Sequence, residues 1–274
     1  MSANPDLLNY GNFIKAAYDV YKLHPAVLSP SQDQYKDFPP GYTLRYNIHM
    51  TDFFLGQNIT AYYGFIAFSN DNPKDLVIAI RGTVGYMEWW DDIHVFPAEN
   101  PFAENGGLVV SGFLDLYRSL KVSEPHQEAL AIPLTETVKA PSNDRFNIDD
   151  SEKLTVVGHS LGASLATLYG VHLDSKDKNV EIFTYASPCV GNQEFVDYYN
   201  GRIKNSCRIY NEPDLVPKLL LAFDYKHVDT AYEVNSFVDP KIKKSIGCFH
   251  YLSTYLYLLG GSLKAVGACL QHPV

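Results

Sequence analysis

A serine hydroxyl becomes a nucleophile only when the chain holds its oxygen exposed and a base takes its proton. Gly158-His159-Ser160-Leu161-Gly162 addresses the first requirement. It follows the apolar run Leu154-Thr155-Val156-Val157 directly and opens an Ala- and Leu-rich stretch from Leu161 to His172. A strand that turns this sharply into a helix holds the serine in a strained backbone, and glycines two before and two after let strand and helix close in. The following helix also points its positive end at the serine, which favours a developing negative charge. The five letters alone occur by chance in chains of this length, and a serine N-cap would look similar. The strand and helix around them mark Ser160 as a nucleophile for acyl transfer.

Such a serine needs a base and an acid to orient it, in chain order Ser, Asp or Glu, His on this type of scaffold. Asp214, in Asn211-Glu212-Pro213-Asp214-Leu215-Val216-Pro217, lies just past the strand-like Cys207-Arg208-Ile209-Tyr210. His250, in Gly247-Cys248-Phe249-His250-Tyr251-Leu252, enters the last apolar helix. Both stand at element ends, where a loop can project them over a sheet edge. His227 and Asp229 sit in a polar stretch and read as surface residues, His172 reads as a helix C-terminal cap, and His272 is nearly terminal. His159 adjoins Ser160, but the elbow should aim its ring elsewhere. Spacing alone leaves Asp214 and His250 as favourites among rivals.

The oxyanion of acyl transfer needs preorganised donors. The backbone N–H of Leu161 is one, and the second usually comes from the loop after an earlier strand. Arg81-Gly82-Thr83 ends the apolar run Leu76 to Ile80, so Thr83 is the candidate, although an ordinary strand-to-loop turn would look the same.

These residues must be positioned by the elements around them. Residues 6–21 carry Leu7, Tyr10, Phe13, Ile14, Ala17, Tyr18 and Tyr21 at helical spacing. A proline-rich loop covers 25–41, and Thr60 to Phe68 reads as a strand. From Leu154 onward strand and helix alternate: Val180 to Tyr185 and 207–210 as strands, Gln193 to Tyr199 as a short helix. That cadence predicts an α/β fold with a mostly parallel central sheet flanked by helices, and active groups at the strands' carboxyl ends. No repeat or linker divides the 274 residues, so 1–274 reads as a single domain.

The net charge of -9 argues against a nucleic-acid partner and means that any lipid contact must be mainly hydrophobic. Nothing suggests a transmembrane segment, a metal or a cofactor. The first residues lack a signal-peptide pattern, which fits a cytoplasmic chain or a processed secreted one. The spacing permits a Cys248–Cys269 bridge, but four buried thiols are the expectation for Cys189, Cys207, Cys248 and Cys269.

Taken together, these motifs resemble the class 3 (fungal-type) lipases, especially the plant phospholipase A1-like branch. Tyr10-Gly11-Asn12-Phe13 with Ala17-Tyr18-Asp19 is similar to that branch's N-terminal helix. Ile80-Arg81-Gly82-Thr83 with Glu88-Trp89-Trp90-Asp91-Asp92 resembles the family's oxyanion strand and lid. Ser111 to Leu114, Gly158 to Gly162, Ala186-Ser187-Pro188, Asn211 to Pro217, and His250 with Leu252, Tyr255 and Leu256 match further segments in order. The resemblance implies an α/β-hydrolase fold, a Ser160, Asp214, His250 triad, an oxyanion hole of Thr83 and Leu161, and Asp92 supporting Thr83. The N-terminal cysteine of secreted fungal members is absent, and 121–150 matches no pattern.

The stretch of about 84–102 then reads as a lid, with Tyr86, Met87, Trp89, Trp90, Ile93 and Phe96 as lid or substrate-binding residues. Large apolar groups beside carboxylates can cover a cleft in water and turn outward at a lipid–water interface. The expected activity is ester hydrolysis on acylglycerols or similar lipid esters. The alternatives are a phospholipase A1 or galactolipid acylhydrolase and, further off, a non-catalytic scaffold.

Overall fold

A computed structural model describes residues 5–54, 57–84, 93–138, 148, 150–228 and 230–271. The expected N-terminal amphipathic helix is α1 (Pro5–Leu23). A long antiparallel pair follows, β1 (Tyr42–Phe54) and β2 (Gln57–Ser69), then β3 (Asp75–Ile80). Short strands β4 (Pro97–Glu99) and β5 (Leu108–Val110) pair outside the main sheet and lead into α2 (Ser111–Ser119). After β6 (Lys121–Ser123) and β7 (Ile132–Pro133) comes the expected alternation. It runs β8 (Lys153–His159), α3 (Leu161–Asp174), β9 (Val180–Tyr185), α4 (Gln193–Arg202), β10 (Asn205–Asn211) and β11 (Ala231–Val234). Two short helices, α5 (Ile246–His250) and α6 (Leu252–Leu258), lie near the C-terminus.

The main sheet has nine strands among the described residues, in the order β11-β10-β9-β8-β3-β2-β1-β6-β7. From β11 to β3 every neighbour is parallel; from β3 to β7 every neighbour is antiparallel. In the parallel half, β8, β9 and β10 are the strands read from the alternation and β3 the one read from its apolar run, while β11 was not anticipated. The antiparallel half includes β1, which was not anticipated, and β6 and β7, which occupy the segment that matched no pattern.

Strand β3 shows why its apolar run is unbroken. Leu76, Ile78 and Ile80 enter one buried cluster with α2 and α3, while Val77 and Ala79 enter another with α1 and α6. Successive side chains of a strand point to opposite faces, so covering both faces demands an apolar residue at every position. Helices therefore clamp the centre of the sheet from both sides, and the loops at the carboxyl ends of β3, β8 and β10 are carried on a rigid base.

Two expectations need correction here. Cys248 and Cys269 form a disulfide, with Cα atoms 5.3 Å apart, and only Cys189 and Cys207 are free. The C-terminal segment folds back so that Ile242, Cys248, Val266 and Cys269 share a small core, a proximity invisible in the spacing. His172, read as a helix C-terminal cap, is a buried core residue in the helix's last turn, with Nδ1 against the Tyr117 hydroxyl at 2.8 Å and its ring stacked on Phe102.

Candidate active site

Ser160 sits between β8 and α3 with φ 57° and ψ −125°. A non-glycine residue there is strained by about 1–3 kcal/mol and persists only where its surroundings enforce it. They do so through the glycines. A Cβ on Gly158 would lie 2.1 Å from the Gly162 carbonyl oxygen, and one on Gly162 2.3 Å from that of Ile80. The helix start is thus pressed against the ends of β8 and β3, and the serine is pushed out at the turn.

The side chains expected to act together are brought together. His250 Nε2 lies 2.9 Å from Ser160 Oγ, and His250 Nδ1 lies 2.9 Å from Asp214 Oδ2. The carboxylate accepts from Nδ1–H, which leaves Nε2 with its lone pair toward the serine proton. All three are nearly fully buried: Ser160 2%, Asp214 1% and His250 2% exposed. Asp214 follows β10, and its Oδ1 accepts the Val216 N–H at 3.0 Å. His250 ends α5, one turn that Ser245 caps by accepting the Cys248 N–H, rather than entering the longer apolar helix.

Residues beyond the expected set hold these in place. Tyr255 donates to Asp214 Oδ2 at 2.7 Å and accepts the Asn211 N–H at 3.0 Å. Asn211 in turn donates to the Phe249 carbonyl and the Ser236 hydroxyl and accepts from the Ser236 N–H. The loops carrying Asp214 and His250 are therefore tied together behind the site. Both residues stood within the motifs quoted above, Asn211 three before Asp214 and Tyr255 five after His250, but spacing alone assigned them no role.

Gly82 and Thr83 extend from β3 beside Ser160. A Cβ on Gly82 would lie 2.9 Å from the Ser160 Cβ, so the loop backbone rests directly against it. The Thr83 hydroxyl oxygen is buried with no hydrogen-bond partner among the described residues. A buried, unsatisfied hydroxyl is rare and costs about 1–3 kcal/mol, which suits a donor reserved for a ligand. Leu161 is the first residue of α3, where an N–H has no carbonyl within its own helix to bond.

His159 does aim its ring away from the serine oxygen, yet it is not idle. Its Nε2 donates to the His250 carbonyl at 2.9 Å, so its Nδ1 accepts from the Tyr18 hydroxyl at 2.9 Å. Burial, with His250 beside it, holds its pKa well below the usual histidine range, so it stays neutral. The rivals to the triad stand apart. His227 is half-buried rather than a surface residue, donating to the Pro217 carbonyl at 2.8 Å. Asp229 and His272 lie outside the described residues.

Of the lid residues, Tyr86, Met87, Trp89 and Trp90 lie outside the described residues, as does Asp92. The later part of the stretch belongs to the body. Ile93, Val95, Ala98 and Phe102 pack on the main core, β4 pairs with β5, and Tyr225 donates to the Val95 carbonyl at 2.8 Å. Phe96 is 71% exposed. Much of 93–102 is thus packed on the body of the protein.

A nine-stranded mixed sheet with flanking helices and a strained serine elbow at the end of a central parallel strand is the α/β-hydrolase fold. Residues 77–223 match the class 3 lipase family, and the chain belongs to it. Phospholipase A1-II 3 of Oryza sativa subsp. indica is 29% identical over 221 residues, 72% of this chain and 51% of that protein. The chloroplastic phospholipase A1-Igamma3 of Arabidopsis thaliana is 26% identical over 326 aligned positions, 93% of this chain and 61% of the relative. The chain thus spans only about half to three-fifths of these relatives. Among solved structures, the lipase of Rhizopus microsporus var. chinensis superposes with a TM-score of 0.60 at 24% identity, covering 86% of this chain and 75% of that one.

Proposed function

We propose that the chain is a serine hydrolase of lipid-like carboxylic esters, with Ser160 as nucleophile, His250 as general base and Asp214 as its orienting acid. The single observation that carries this reading is the position of His250, 2.9 Å from both Ser160 Oγ and Asp214 Oδ2 in a buried site. His250 Nε2 takes the Ser160 proton as Oγ bonds to the ester carbonyl carbon. The oxyanion faces the N–H groups of Thr83 and Leu161. His250 then gives that proton to the departing alkoxide, releasing an alcohol and leaving an acyl-serine. Water, deprotonated by His250, attacks the acyl carbon; Ser160 Oγ leaves, receives the water's proton from His250, and the carboxylic acid is freed.

The lipid-like substrate is supported by the surface. Val84 follows Thr83, Leu215 follows Asp214 and Tyr251 follows His250, and these three are 61%, 47% and 50% exposed. Three residues of the site are thus each followed by an exposed apolar neighbour, a rim suited to acyl chains, whereas Leu161 after Ser160 is buried. A phospholipase A1 is the second reading, favoured by the names of the two plant relatives. Hydrolysis of emulsified triacylglycerol, dispersed phospholipid and a soluble short-chain ester, each with Ser160→Ala as control, tests both. Wild-type turnover that survives in Ser160→Ala would remove the proposed nucleophile.

A further inference from the structure

Arg81 is 1% exposed, and no carboxylate pairs with it among the described residues. Its guanidinium carbon lies 3.6 Å from the Tyr21 ring centre and 4.2 Å from that of Tyr63, so two aromatic faces clamp the plane. Within that clamp Nε donates to the Tyr62 carbonyl at 2.9 Å and Nη1 to the Gly82 carbonyl at 2.7 Å. Burying a charge is expensive, and a neutral side chain would fill the same space at less cost. The position of the charge supplies a reason for it.

The Gly82 carbonyl belongs to the same peptide as the Thr83 N–H, and in a trans peptide the two point in opposite directions. Fixing the carbonyl on Arg81 fixes where the N–H points. A cation on the carbonyl also draws electron density from the amide and makes its N–H a stronger donor, as in any polarised hydrogen-bond chain. The preceding peptide is held as well. The Gly82 N–H donates to the Tyr18 hydroxyl at 2.8 Å, and the Tyr18 O–H donates in turn to His159 Nδ1. Because His159 Nε2–H meets the His250 carbonyl, one continuous path joins the oxyanion loop to the backbone of the catalytic base. Each donor and acceptor along it is used once, which permits only one tautomer of His159.

We propose that Arg81 and Tyr18 are positioning residues of the oxyanion hole, with the buried Arg81 charge delivered to the developing oxyanion through the Gly82–Thr83 peptide. The inference rests on the proposed serine-hydrolase reading. It locates specificity for the transition state in two residues that never touch substrate. A positioning role moves the chemical step and leaves ground-state binding alone, whereas a purely structural role moves stability.

The test uses the full chain and a soluble short-chain ester, with a trifluoromethyl ketone whose serine adduct carries an oxyanion. Wild type should hydrolyse the ester and be inhibited by the ketone, and Ser160→Ala should do neither. If wild type does neither, the serine-hydrolase reading falls and this inference with it. With wild type active, Arg81→Met should lose about ten- to a hundredfold in kcat, a sizeable part of what one oxyanion donor supplies. KM should stay within about twofold, and ketone affinity should fall in parallel with kcat. Arg81→Lys, which keeps the charge but not the planar fork, should recover part of the loss. Tyr18→Phe should lose about tenfold in kcat with the same split, as one fixed donor direction is released. Folded Arg81→Met or Tyr18→Phe enzyme with wild-type kcat overturns the proposal while leaving the triad standing. So does a loss of activity that leaves ketone affinity intact. Should Arg81→Met fail to fold, Arg81→Lys and Tyr18→Phe decide by the same readouts.

Discussion

Tyr255 donates to the Asp214 oxygen, Oδ2, that His250 also approaches, at 2.7 Å and 2.9 Å respectively. The tyrosine therefore does for the acid what the acid does for the base: it removes the freedom to turn. Burial, and next the charge of Asp214, raise the Tyr255 pKa well above the usual tyrosine range, so the hydroxyl remains a donor at all working pH values. Tyr255→Phe keeps the ring but frees the carboxylate and leaves the Asn211 N–H without its acceptor. We expect kcat to fall about tenfold, the scale of one charge-assisted hydrogen bond, with KM little changed. Steady-state kinetics on a soluble ester checks the split; an unchanged kcat would show that Val216 alone suffices to hold Asp214.

Ser160 occupies a backbone region that glycine alone enters freely. Ser160→Gly and Ser160→Ala should both be inactive, yet their stabilities should separate. Glycine relieves the strain and alanine does not, so the glycine variant should be the more stable of the two by about 1 kcal/mol. Chemical denaturation of both variants measures this. Equal midpoints would mean that the elbow carries no strain.

The contrast between Ser160 and Tyr18 shows how far the letters reach. The elbow is a local device, so strand, turn, helix and glycines stand within a dozen residues and can be read together. Asp214 and His250 stood out because both lie at element ends in the chain order a serine hydrolase uses, though spacing alone left them among rivals. The Tyr18–His159 contact spans 141 positions and leaves no periodicity or spacing to detect. The same holds for the fold of the Cys248 segment onto Cys269, and for β1, whose polar Asn47 and His49 are buried in a strand that composition would not mark. Patterns of period two and 3.6 expose elements; they do not expose which elements meet.

Those buried polar groups make acid sensitivity predictable. Burial, helped by Lys121, lowers the His49 pKa to about 4, and burial with Arg208 nearby lowers that of His227 to about 4. In the unfolded chain both titrate near the ordinary 6.5. Above that value neither state holds the extra proton and the full stability is present. Between about 6.5 and 4 the unfolded state binds protons that the folded state refuses, so stability falls by up to about 1.4 kcal/mol per pH unit for each histidine. Unfolding midpoints measured from pH 8 to pH 4 should show this slope, and His49→Met should flatten it. An identical slope in that variant would exclude His49 as a source.

Two glycines should respond oppositely to alanine. At Gly162 the new Cβ would lie 2.3 Å from the Ile80 carbonyl oxygen and 2.5 Å from that of Arg81, both backbone atoms that cannot swing away. Gly162→Ala should therefore destabilise the protein and displace the Arg81-Gly82-Thr83 loop, lowering kcat as well. At Gly201, in α4, a Cβ would meet nothing within 4 Å. Gly201→Ala should stabilise by roughly 0.4–1 kcal/mol through the unfolded chain and leave activity unchanged. Thermal midpoints with ester turnover separate the two cases.

The Cys248–Cys269 bond closes a loop of sequence separation 21 and begins two residues before His250. A loop of that size corresponds to roughly 3 kcal/mol of stabilisation in the chain-entropy account. Other ties persist without it: the Lys243 N–H donates to the Cys269 carbonyl and the Gln271 N–H to that of Lys241. Cys269→Ser should thus cost up to about 3 kcal/mol, lowering the thermal midpoint by several degrees. Because α5 is a single turn, loosening its bonded end should also blur the distance between His250 and Ser160, so kcat should drop before the protein unfolds. Turnover and unfolding followed together on stepwise reduction, with thiols counted to show that the bond has opened, give the order of events. Full activity in a quantitatively reduced, folded protein would show that α5 is held by its Ser245 cap and the Asn211 contacts alone.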